Sequence, residues 1–125
     1  MDTALWIVTA LLALLMLMAG GMKLAKSKAE LGENKQMAWT EDFSQGAIRG
    51  IGALELAAAI GLILPGITGI APGLVPAAAI GVMLLQTGAA IVHIRRNEGQ
   101  AVIGNVVIAA MALFIAWGRL GDYAL

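Results

Sequence analysis

Cysteine is absent from the sequence, so the chain by itself cannot form a disulfide, ligate an iron–sulfur cluster or carry out thiol redox chemistry. Charge is scarce as well. Asp, Glu, Lys and Arg make up 13% of the 125 residues, where ordinary soluble domains carry about 25%. The eight basic and eight acidic side chains cancel, which leaves no concentrated basic face and excludes a nucleic-acid partner. One histidine, His93, cannot supply both axial ligands of a haem, and no His/Asp/Glu group has metal-ligand spacing, so no metal site is expected. There is neither a P-loop nor a dinucleotide fingerprint, and no covalently bound cofactor is expected. Ser27 and Ser44 lie in polar stretches with no histidine near them in sequence.

What the chain has is apolar residues, 60% of the total, with a mean hydropathy of +0.87. They come in long blocks, and too few polar side chains remain to cover a water-exposed surface. The solvent is therefore lipid, and the length suits one domain, residues 1–125. A membrane-spanning helix needs about 20 mostly apolar residues, and four stretches qualify, at 4–22, 47–64, 74–94 and 101–118. Backbone groups in lipid must be satisfied internally, so the expected fold is all-α, an integral membrane four-helix bundle. The first stretch lacks the basic residues of a signal peptide, since only Asp2 is charged before it, and it is read as a retained helix.

The connections differ in kind. Lys23–Gly46 is polar, with Met37, Trp39 and Phe43 spaced to lie along the membrane interface. Asp42 with Gln45 is a candidate cap for the second span. Pro65–Gly73 has turn chemistry and no charge, and 95–100 is short. Lys23, Lys26, Lys28, Lys35, Arg49, Arg95 and Arg96 fall on one side, against Arg119 on the other. The excess of positive charge in loops marks the cytoplasmic face, so both termini are expected outside. Small residues at Gly46/Gly50, Ala53/Ala57/Gly61 and Gly81/Gly88 share helix faces and allow close packing or dimerisation.

A charge at the bilayer centre costs roughly 2.5–3.5 kcal/mol, which singles out Glu55 near the middle of the second span. It should face the bundle interior, paired or protonated. Gln86 and His93 are seven residues apart on one helix face, and Asn105 lies early in the fourth span. These residues with Lys23 at the mouth can form a polar pocket, which Arg49 could approach from two turns before Glu55. The plainer alternative is a polar seam that fixes helix register, with Lys23 snorkelling and Arg119, Trp117 and Tyr123 anchoring the other interface.

The motifs Ala19-Gly20-Gly21-Met22-Lys23-Leu24, Ile48-Arg49-Gly50-Ile51-Gly52-Ala53-Leu54-Glu55-Leu56, Gly61-Leu62-Ile63-Leu64-Pro65, Ala90-Ile91-Val92-His93-Ile94-Arg95-Arg96 and Trp117-Gly118-Arg119 occur in that order across the four spans. Together they resemble the DoxX-like family of small bacterial membrane proteins. The resemblance implies a four-helix fold in the bacterial cytoplasmic (inner) membrane. It also implies kinship to subunits of quinone-linked oxidoreductases, to membrane partners of oxidative-stress and thiol enzymes and, remotely, to proteins that hold lipophilic ligands beside acidic residues.

Three functions follow as expectations. The first is an accessory subunit of a membrane oxidoreductase system, with a quinone as the implied cofactor and an oxidoreductase subunit as partner. The second is a binder or isomerase-like enzyme for an isoprenoid or quinone-like ligand, with Glu55 as acid or cation stabiliser and His93 as proton shuttle. The third is a small proton-coupled transporter, for which a homodimer would supply eight spans. Whether the chain is an enzyme is left open by its residues, and the lipid bilayer is the one partner they all share.

Overall fold

The computed structural model describes residues 1–125, and it contains helices and no strand. The chain runs α1 (Asp2–Ala25), α2 (Lys28–Gly32), a 3-10 helix (Lys35–Asp42), α3 (Gln45–Thr68), α4 (Leu74–Arg95) and α5 (Gly99–Leu120). Four of these, α1, α3, α4 and α5, are long and apolar enough to cross a membrane. Each exceeds the stretch expected from hydropathy, because polar residues at the ends still complete helical turns.

The four long helices close a ring: α1 packs on α3, α3 on α4, α4 on α5 and α5 on α1. Leu12, Met16, Leu62, Val75, Val82 and Ile115 fill its centre. The outside is no less apolar. Leu14, Leu17, Ile60, Ile67, Leu84, Ile103 and Leu113 are each half exposed or more, on every helix of the ring. Water-soluble monomers rarely show contiguous apolar patches beyond a few hundred Å². Here the belt surrounds the molecule, and the solvent it suits is hydrocarbon.

The closest helix contact comes from Gly20 and Gly52, and of the small residues expected Gly61 adds a second close approach, to Ala78. A Cβ on Gly20 would lie 2.6 Å from the Gly52 carbonyl oxygen, and one on Gly52 would lie 2.8 Å from Lys23 Cβ. Gly46 and Gly50 touch nothing that needs a glycine. The α1–α3 crossing at Gly20 and Gly52 brings Lys23 against α3.

Two local expectations are corrected. Ser44, and not Asp42, caps α3, its hydroxyl accepting the Ala47 N–H. Gln45 instead accepts the Lys28 N–H, and Asp42 is drawn away to Arg96. The helix also continues through Pro65, which had been read as the start of a turn. Proline removes one donor, but the following turn is kept: the Thr68 hydroxyl donates to Leu64 O and Gly69 N–H to Pro65 O, with Gly69 left-handed at φ 73°.

Candidate functional site

The polar connection does not lie loosely on the surface. Ser27 caps α2 in a reciprocal capping box with Glu30, and Asn34 caps the 3-10 helix. Leu31, Met37 and Ile48 form a small core of their own beneath it. This folds the segment back across one end of the bundle, with Trp39 and Phe43 edge to face at 5.6 Å.

Under that lid lies a cavity of about 1070 Å³, bounded chiefly by α3 and α4. Small-ligand sites run to about 300–1,000 Å³, so this one is at the upper end. Its wall is mostly apolar, with a few polar side chains gathered toward the lid. The structure brings Glu55, Lys23, Gln86, His93 and Asn105 into that wall, together with Met37, Trp39 and Phe43. Arg49 is not among them. Six residues amount to 600° of helical turn, not a whole number of turns, and Arg49 projects outward and is exposed.

Glu55 is 6% exposed, and Lys23 Nζ stands 2.8 Å from its Oε1. The contact is an ion pair, and Oε1 has no donor besides the ammonium. Lys23 does not snorkel outward: it is 7% exposed and lies 5.8 Å from the centre of the Trp39 ring. Gln86 and Asn105 join α4 to α5, Asn105 Nδ2 donating to Gln86 Oε1 at 2.8 Å and leaving its own Oδ1 unpartnered.

His93 is placed by the turn that follows it. Asn97 takes the left-handed conformation, Glu98 N–H bonds His93 O and Asn97 N–H bonds Ile94 O, the two bonds of a Schellman motif. Glu98 is thereby folded over the helix end, where its Oε1 sits 2.9 Å from His93 Nδ1. Hydrogen bonding to His93, with the Arg96 guanidinium adjacent, holds the Glu98 carboxyl below the usual range. An ionised carboxylate only accepts, so the imidazole donates through Nδ1. His93 also walls a second cavity of about 560 Å³, shared with Lys35, Gln36, Glu98 and Gln100, and so stands between the two.

Arg96 ties the lid to the same turn. It donates to Glu41 at 2.9 Å, Asp42 at 2.8 Å and Glu98 at 3.2 Å. The hydrogen bonds to Asp42 and Glu41 push its pKa above the ordinary arginine value, fixing it as a cation. At the opposite end Arg119 is 4% exposed, donating to Asp2 and to Tyr123 O and lying 5.4 Å from the Trp6 ring. It clamps the chain ends together and is not the interfacial anchor expected. No three His, Cys, Asp or Glu side chains converge as a metal site would require.

Sequence reasoning took Met37, Trp39 and Phe43 for interface residues and did not place them over the cavity. The signal available was the apolar spacing inside an otherwise charged segment. Glu98 and the Arg96 contacts had no comparable signal, since their partners are brought together only by the fold.

The profile of the DoxX-like family matches residues 7–115, from the first turns of α1 to within α5. No curated protein and no solved structure gives a significant match. The match takes in Glu55, His93 and every other polar residue of the cavity wall, and the chain belongs to the DoxX-like family.

Proposed function

We propose that this membrane protein binds a lipophilic ligand with a small polar head in the cavity beneath the lid. The observation that carries the reading is the buried Lys23–Glu55 pair in the wall of a largely apolar space. An ion pair at membrane depth is expensive to hold and marks functional sites more often than structural ones. Beside it, Lys23, Asn105 and Gln86 offer N–H donors, Glu55 an acceptor, and His93 a titratable ring.

A quinone fits this set. Its carbonyl oxygens would accept from Lys23 or the amides, and Trp39 and Phe43 would lie against its ring. A quinone held there would supply two-electron redox chemistry to a partner enzyme. That is how the family's kinship to quinone-linked oxidoreductases bears on this chain: with no cysteine it would act as the accessory subunit that presents the quinone. The excess of basic residues in the loops at the lid end supports a lid that faces the cytoplasm of a bacterial inner membrane, with both termini outside.

Native mass spectrometry of the protein from its own membrane tests the reading. The expected spectrum shows a bound lipophilic molecule of a few hundred daltons in the wild type and its depletion in Glu55→Gln. A bare wild-type chain, or a ligand retained equally by Glu55→Gln, counts against it. Labelling of single cysteines introduced at Lys35 and at Asp122 tests the orientation, since the chain has none of its own.

A further inference from the structure

The cavity has two chemically different ends. Polar groups (Lys23, Glu55, Gln86, His93 and Asn105) all stand at the lid end. From Gln86 down to Leu74 the α4 wall is apolar for 12 residues, about 18 Å of helix. The walls here are built from Ala57, Ala58 and Gly61 on α3 and Ala77, Ala78 and Gly81 on α4.

These small residues do not all serve helix packing. At Gly61 they do: a Cβ there would stand 3.0 Å from Ala78 Cβ, so the walls nearly meet. At Gly81 and Gly88 nothing lies within 4 Å of the position a Cβ would take, although both border the cavity. The space beside them is open, between walls that close at Gly61. That is room for an apolar tail, with half-exposed Leu54, Leu74 and Leu84 at the rim.

Around Glu55 the head end is neutral. Lys23 and Glu55 cancel each other at 2.8 Å, and Gln86 and Asn105 are uncharged. A charged headgroup would find no free counter-charge and would have to break the pair. A hydroxyl or carbonyl head needs only hydrogen bonds: Asn105 Oδ1, buried and without a donor, and Glu55 Oε1, with the Lys23 ammonium alone beside it, can each accept one.

Building on the binding reading above, we infer that the cavity selects an uncharged lipid with a hydroxyl- or carbonyl-bearing head and an apolar tail seated beside Gly81. The head lies between Glu55 and Trp39, and the tail runs along α4 past Gly81 and Ala77 toward Leu74, beside the point where Gly61 meets Ala78. The bare backbone at Gly81 is what admits the tail. Phospholipids, with a charged head, are excluded.

The test uses the full chain in nanodiscs and two probes, a benzoquinone with a decyl tail and the same head with a methyl group. Binding is read from quenching of tryptophan fluorescence, with Trp39 in the wall. Affinities are referred to the probe concentration in the lipid phase, because lipid solvates a tail as well as the cavity does. Gly81→Leu fills the tail channel without meeting protein atoms at its Cβ. It is expected to weaken the decyl probe about tenfold or more, the size of an overpacking penalty, while leaving the methyl probe within about twofold. Unchanged binding of the methyl probe also shows that the variant is folded. Ala77→Leu, on the same row, should behave alike. Equal losses for both probes in both variants, or no loss in either, overturn the tail channel while leaving ligand binding intact. Decyl phosphate and decyltrimethylammonium should fail to compete, and competition by either as strong as that of the decyl quinone overturns the neutral head. A wild type that binds neither quinone is the failure of the binding reading itself, and this inference falls with it.

Discussion

Replacing Lys23 with methionine should be among the most damaging single changes to the fold that leave the apolar core untouched. Methionine keeps much of the stem that packs against Gly52 and Trp39 but removes the ammonium. At 2.8 Å, and with an effective dielectric of about 20, the Lys23–Glu55 attraction is about 6 kcal/mol. Much of that offsets the several kcal/mol needed to strip water from each ion, so the intact pair contributes little net stability. With Lys23 gone the offset disappears while Glu55 stays buried, and the expected loss is about 3–5 kcal/mol. Unfolding by dodecyl sulfate in mixed micelles reads this directly. The double variant Lys23→Met/Glu55→Gln removes both charges and should recover at least half of the loss, whereas additive single effects would leave it worse than either. A loss under about 1 kcal/mol for Lys23→Met would refute the reasoning, because it would mean that the lysine snorkels to the interface and the pair does not form.

Other changes probe other parts of the molecule. Arg96→Ala releases Glu41, Asp42 and Glu98 together, so limited proteolysis between residues 26 and 44 should accelerate severalfold while the four spans stay protected; unchanged cleavage would show that the lid is held without Arg96. Glu98 has a folded pKa below its ordinary value, so its contribution is complete above the usual glutamate range near about 4.3 and is lost as pH falls through the lower folded value. The same proteolysis should therefore be flat from neutral pH down to that range and rise only below it, and a rise near neutrality would contradict the His93–Glu98–Arg96 arrangement. Gly20→Ala forces α1 away from α3, with a Cβ 2.6 Å from Gly52 O, and should lower stability by about 1–3 kcal/mol in the dodecyl sulfate titration; the same change at Gly50 should be nearly neutral. Arg119→Lys cannot reach Asp2, Tyr123 O and the Trp6 face at once and should lower stability by about 1.5–3 kcal/mol, a loss absent if the side chain merely anchors at the interface.

The four spans were legible because hydropathy needs no tertiary information: a run of about 20 apolar residues has one stable form in lipid. Glu55 was legible for the same reason, as a lone acid inside such a run. Its pairing with Lys23 was not. It depends on the glycine crossing at Gly20 and Gly52, which places a helix-end lysine against the neighbouring helix instead of the interface. Arg49 shows the complementary limit, since distance in sequence suggested an approach that the helical phase forbids. The lid was least visible. A short capped helix, a 3-10 turn and three apolar side chains acquire their position only from ion pairs with a turn more than fifty residues away. Pro65 misled for a local reason: its missing N–H costs only the bond to the carbonyl four residues back, while the turn that follows is closed by the Thr68 hydroxyl and left-handed Gly69.

The most direct measurement is photo-crosslinking from within the cavity. A benzophenone amino acid replaces Ala89, which borders the cavity on α4, and is activated in native membranes before the adducts are weighed. A single adduct mass of a few hundred daltons, absent when the label is moved to lipid-facing Leu113, is what a ligand-holding cavity predicts. The same spread of phospholipid adducts from both positions would contradict it, for it would mean that the space between α3 and α4 is filled by bulk lipid.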